Sequence, residues 1–191
     1  MPPLQFAVRT LSDRMEVFMA KLNKQQRTLL NQRKKELLSA AVLENPELAK
    51  GKKLCGVLAL LWVITRAIHL LIELFMAFSI EGFIISPTNI TVMFIVVLFS
   101  FSIYSGIKGF VILPIIGGAI MTLQIFTSQV YFMLGAEYIP IARLYALAFI
   151  VASLYQLVFP VILLNAGPSK LYFDTAQMLT KEAEEQIRQG Q

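Results

Sequence analysis

Residues 54–80 read LCGVLALLWVITRAIHLLIELFMAFSI, an apolar run broken by three ionisable side chains, Arg66, His69 and Glu73. A helix rises about 1.5 Å per residue and a bilayer's hydrocarbon core is about 30 Å thick, so about 20 mostly apolar residues cross it. Residues 57–77 alone supply that length, and Arg66 then falls near mid-membrane. A charge there costs about 2.5–3.5 kcal/mol on insertion scales. The surrounding Leu, Ile, Val, Phe and Trp62 offset it only if the charges find partners or water.

The spacing brings the three together. At about 100° per residue, positions 66 and 73 lie within about 20° of each other, and 69 lies about 60° to one side. That shared face is unsuited to lipid and is expected to point into a helix bundle or a wet cavity.

The whole chain agrees with this reading. It has 191 residues, of which 57% are hydrophobic and 15% charged, with a mean hydropathy of +0.66. Soluble domains carry about 25% charged residues. The net charge of +5 is uneven: +6 before residue 54, zero over 54–166, and −1 from 167 to 191. Cys55 is the single cysteine, so no intrachain disulfide forms and no CxxC metal site exists. It stands at the membrane boundary, where a buried thiol and reversible S-acylation are both open readings. The start, MPPLQFAVRT, lacks the basic and apolar regions of a cleavable signal peptide.

Residues 1–53 are expected to form a basic cytosolic flank built on one amphipathic helix over 11–44, ended by Asn45-Pro46. Thr10 and Asp13 resemble a capping box. Packing on the membrane domain, lying on anionic headgroups and binding nucleic acid compete for this helix. Its mixed charges and missing aromatic platform argue against nucleic acid. Lys34, Lys35, Lys50, Lys52 and Lys53 are the basic residues expected at the membrane surface, and the last three put this flank inside by the positive-inside rule.

Residues 54–166 are expected to hold four spans, at about 54–80, 90–107, 110–134 and 141–164. Thr88 or Asn89 caps the second. Lys108-Gly109 divides the second from the third, as a tight hairpin or as a re-entrant pair. Glu81 and Glu137 fall in outer loops, Lys108 in an inner one. Residues 167–191 form an acidic cytosolic tail helix, whose charge suits pairing with the basic amino-terminal helix. The fold class is an all-α integral membrane protein, a four-transmembrane-helix bundle with cytosolic amphipathic helices at both ends.

Depth matching suggests partners for the buried charges. Glu73 and Arg143 are the opposite pair at similar depth in different spans, and Gln124 matches Arg66 at mid-membrane. Gln124, Ser128 and Tyr131 share a face, and Ser153 with Gln156 makes a smaller patch. The expected intramembrane cluster is therefore Arg66, His69, Glu73, Gln124 and Arg143. It serves either as structural glue between helices or as a proton, ion or substrate path. Ser102-xxx-Gly106, Ala142-xxx-Ala146 and Ala148-xxx-Ala152 are small-residue pairs suited to close helix contact, and Pro114, Gly117-Gly118 and Pro160 mark candidate kinks.

No HExxH, GxSxG or P-loop pattern occurs, no internal repeat is seen, and one histidine excludes a multi-histidine metal site within the chain. No catalytic residue, metal or cofactor is expected. The leading expectation is a non-enzymatic assembly or accessory subunit whose partners are membrane lipids and other membrane protein subunits, or copies of itself. A small oligomeric channel or proton-coupled transporter using the Arg66, His69 and Glu73 face is the alternative. An intramembrane lipid-modifying enzyme using His69 and Glu73 is the third.

Overall fold

The structure is a computed structural model that describes residues 24–79, 87–124 and 140–189. Within these the chain is helical: α1 (Lys24–Glu44), α2 (Pro46–Ser79), α3 (Pro87–Tyr104), a short 3-10 turn (Lys108–Val111), α4 (Ile112–Gln124), α5 (Pro140–Asn165) and α6 (Gly167–Gln189). α2, α3 and α5 are long and apolar enough to cross a membrane. The expected third span, 110–134, is described only to Gln124. Residues 11–23 of the expected first helix, the loop charges Glu81 and Glu137, and Ser128 with Tyr131 lie outside the described residues.

Asn45 separates α1 from α2. Its side-chain Oδ1 accepts from the backbone N–H groups of Glu47 at 3.0 Å and Leu48 at 3.4 Å, satisfying two donors at the new helix start. Pro46 then occupies the first helical position, where its missing N–H removes no bond. Pro46 thus ends one helix by opening the next. α2 has 34 residues, about 51 Å, so it outruns a bilayer core by about 20 Å. Lys50, Lys52 and Lys53 ride on the projecting end of this helix rather than on a separate flank.

α2 is the central helix, packed against α3, α5 and α6. Its buried residues are Leu48, Gly51, Cys55, Ala59, Trp62, Arg66, His69, Glu73 and Met76. Their spacings of three and four residues define one stripe along the helix. The opposite faces expose Leu60, Ile64, Ile68, Leu71 and Phe75. Large apolar side chains outside and ionisable ones inside invert the pattern of a water-soluble bundle and suit a lipid surrounding. Cys55 is buried within the core cluster, the first of its two readings.

α3 does not run to the expected Lys108-Gly109 break. It stops at Tyr104, and Gly106 takes the left-handed conformation with φ 82°. The Gly106 N–H bonds Ile103 O at 3.0 Å, and the Ile107 N–H bonds Ser102 O at 3.1 Å. This pair of bonds is the Schellman closure, which favours glycine because no Cβ opposes the backbone. Gly106 therefore works as a helix stop and also as a point of close helix contact, made with α6. A Cβ here would also run into Ala176 of α6.

The expected kinks resolve differently. Pro114 is the third residue of α4, where the backbone nitrogen has no intrahelical acceptor to lose. Pro160 lies inside α5 and leaves the Gln156 carbonyl without its usual donor.

α6 folds back over the end of the bundle. Gly51 of α2 touches the Pro168 carbonyl so closely that any side chain there would collide with backbone. Tyr172 Oη donates to the Tyr104 carbonyl at 2.7 Å, one of those left over where α3 ends. Lys108 Nζ meets Asp174 Oδ1 at 3.2 Å. α1 packs against the distal half of α6 through Leu30, Leu37, Ala183 and Ile187, and Arg33 Nε donates to Gln186 Oε1 at 3.1 Å. The expected pairing of the basic helix with the acidic tail thus has an apolar centre and a polar rim. Burial holds the Lys34 ammonium below the usual lysine range, and the Glu184 carboxylate partly opposes this.

Candidate functional site

The buried stripe of α2 carries its charges where α3 and α5 pack against it, and Met121 of α4 reaches Arg66. Arg66 is 4% exposed, His69 2% and Glu73 2%. Arg66 Nη2 donates to Gln156 Oε1 at 2.6 Å and also contacts the Met121 sulfur of α4. Trp62 Nε1, one turn away on α2, donates to the same Gln156 oxygen at 3.3 Å. One amide oxygen of α5 thus joins two donors of α2. Gly117 of α4 leaves room for the Gln156 amide, since a Cβ there would overlap its Nε2.

His69 stacks among aromatic side chains. Its ring centroid is 4.8 Å from that of Tyr145 and 5.3 Å from that of Phe149. Two buried nitrogens, Arg66 Nε and His69 Nε2, have no hydrogen-bond partner among the described residues. Glu73, one turn further, accepts from Asn89 Nδ2 of α3 at 2.8 Å. Two further contacts tie neighbours to the α2 backbone: Ser100 Oγ donates to the Ala59 carbonyl at 3.2 Å, and Tyr155 Oη to the Leu58 carbonyl at 2.7 Å.

Arg66, His69 and Glu73 therefore share one enclosed face, and Arg143, a further expected member, does not join it. Arg143 is exposed near the start of α5, and no ion pair links it to Glu73 among the described residues. Matching depth carries no information on which way each helix is turned. Asn89 instead belongs to the first turn of α3 and serves Glu73 rather than capping the helix. Gln124 ends α4, and its side chain lies outside the described residues. Gln156 holds Arg66.

The expected surface lysines divide. Lys50 is paired with Glu47 at 2.6 Å. Lys34 is half-buried against α6 and Lys35 is exposed. Lys52 Nζ stands 5.4 Å over the Tyr104 ring, and Lys53 is exposed beside it.

Chemically the cluster offers hydrogen-bond donors, one imidazole and one carboxylate. Ser153 and Ser100 are engaged with backbone carbonyls, and no group of three or more potential metal ligands occurs among the described residues. Gln156, Asn89, Met121 and Tyr145 complete the site. Only Gln156 carried a sequence signal, because it shares the α5 stripe of Phe149, Ala152, Phe159 and Leu163 that faces the core. No protein-family model matches the chain, and comparison with curated proteins and with solved structures finds no match either.

Proposed function

We propose that this chain is an integral membrane protein of four helical spans with both termini on the cytosolic side, acting as a non-enzymatic subunit that assembles with other membrane proteins. The path of the chain supports four crossings. The turn after α3 and the carboxyl end of α5 both lie against α6, through Lys108–Asp174 and through Ser169 Oγ to Leu163 O at 2.6 Å. α4 leaves from that end and α5 returns to it, as expected if a further crossing separates α3 from α5. Lys50, Lys52, Lys53, Lys108 and Lys170 collect at this end, which the positive-inside rule assigns to the cytosol.

The observation that carries the subunit reading is the Trp62–Gln156–Arg66 junction. The most costly charge of the membrane interior is tied to a neutral amide and closed in by protein, as expected of a contact that fixes helix register. The polar side chains turn inward, and the outward surface is left apolar. The channel or carrier reading is favoured by a different observation, the partnerless Arg66 Nε and His69 Nε2 one turn from Glu73, because such groups bind water or protons when a path opens.

Proteoliposomes separate the two. The subunit reading expects proton and ion flux no higher than in protein-free vesicles. Flux supported by the wild type and lost in both His69→Ala and Glu73→Gln would establish the carrier instead. Mild solubilisation from the native membrane is then expected to yield a stoichiometric complex with a second polypeptide. A monomer or homo-oligomer alone would defeat the subunit reading.

A further inference from the structure

At the lysine-rich end of the bundle, a side-opening cleft of about 370 Å³ lies between α2 and α3. Lys52 and Lys53 stand at its upper edge, and Gly56, Val57, Leu60 and Tyr104 line it below. Its shape beside Tyr104 has a sequence cause. Gly56 has no side chain, and a Cβ there would press on the Tyr104 ring at 3.2 Å. From Lys52 to Leu60 the cleft descends about 12 Å along α2, from the start of the apolar run into its first two turns.

The charges around it are unequal in availability. Lys50 is paired with Glu47 and Lys108 with Asp174. Lys52 and Lys53 have no carboxylate within ion-pair distance among the described residues. Lys52 instead lies over the Tyr104 ring, a position that leaves its ammonium free to meet a phosphate. Two unpaired cations above an apolar floor match the two halves of a phospholipid, and the cations favour one with net negative charge.

We propose that this cleft is a binding site for one anionic phospholipid, with the phosphate held by Lys52 and Lys53 and an acyl chain lying over Gly56, Val57 and Leu60. The site depends on this end lying at a membrane surface and does not depend on what partner the protein assembles with. Its failure and the failure of the subunit reading are therefore separate results.

The test is native mass spectrometry of the full-length protein released from detergent micelles and titrated with phosphatidylglycerol, phosphatidylcholine or inorganic phosphate. One phosphatidylglycerol is expected to remain bound at a concentration about tenfold below that needed for phosphatidylcholine. Lys52→Gln/Lys53→Gln is expected to remove that preference. Gly56→Leu, which fills the floor and keeps both lysines, is expected to weaken both lipids. Both altered side chains of the double variant are peripheral, and helix content by circular dichroism confirms that it folds. Equal retention of the two lipids by the wild type would overturn the site, as would a preference that survives in the double variant. Inorganic phosphate binding as well as phosphatidylglycerol would show a free-anion site and overturn the lipid assignment.

Discussion

At mid-bundle, Arg66 is 4% exposed and is held by a neutral amide and a sulfur. At the end of the bundle, Lys108 and Asp174 meet as a full ion pair, with side chains 43% and 51% exposed. The formally stronger pairing is the less important one. Water competes for both members of the exposed pair, so breaking it returns each to good solvation. Nothing replaces Gln156 if Arg66 loses it, because a buried donor without a partner bears its whole desolvation cost. Burial, more than formal charge, sets what each contact contributes.

The comparison breaks first at Gln156. Gln156→Leu removes the amide oxygen shared by Arg66 Nη2 and Trp62 Nε1, leaving Nη2 with the Met121 sulfur, and is expected to destabilise the protein by about 3 kcal/mol. Denaturant or thermal unfolding in detergent micelles measures this. The double variant Arg66→Leu/Gln156→Leu is expected to regain most of the loss, since it removes the charge that needed the amide. A double variant no more stable than the single one would show that Gln156 acts through packing alone.

Gly51→Ala tests close backbone approach, where no charge is involved. An alanine favours the helix by up to about 1 kcal/mol, yet its Cβ would meet the Pro168 carbonyl, which no rotamer change relieves. The net expectation is a loss of about 2 kcal/mol. It should appear as faster hydrogen exchange in α6 while α5 stays protected.

The same contrast explains what could be read from the sequence. The α2 stripe and the common face of Arg66, His69 and Glu73 follow from helical periodicity, which is a property of one segment. The partners of that face depend on how neighbouring helices are rotated. Arg143 is exposed on α5, while Tyr145, Ala146 and Phe149 turn inward. Gln156 was visible as a polar residue on an otherwise apolar stripe, and only the packed bundle pairs it with Arg66. The end of α3 differs from its expected place for a tertiary reason. Gly106 and Gly109 are both competent to stop a helix, and the choice is made by the contact of α6 with Gly106.

The cap offers a pH test of burial. Lys34 is held below the ordinary lysine range in the folded protein, chiefly by burial against α6. The unfolded chain therefore binds more protons through the window below about pH 10.4, so stability rises with pH across it. Tyr172 has the opposite sign: burial raises its hydroxyl, so stability falls once pH exceeds the unfolded tyrosine value of about 10. Unfolding midpoints of wild type and Lys34→Met are compared as pH rises toward about 10, so that other titrating groups cancel in the difference. Wild type is expected to gain stability relative to Lys34→Met. Parallel curves would assign the pH dependence to another group.

The smallest effect belongs to the ion pair between Lys108 and Asp174. Each side chain is about half exposed, so Coulomb attraction is screened, and holding two flexible side chains in register costs entropy. Lys108→Ala is expected to change stability by about 0.5 kcal/mol or less, and the difference should vanish in about 1 M salt. A loss comparable to that of Gln156→Leu, persisting at high salt, would mean that Lys108 anchors α6 as firmly as Gln156 anchors Arg66. Position along the bundle would then fail to separate the two contacts. A small, salt-sensitive loss would leave α6 held by what lies beneath the pair: the Gly51 contact, the Tyr172 hydroxyl on the Tyr104 carbonyl, and the buried Phe173 and Ala176.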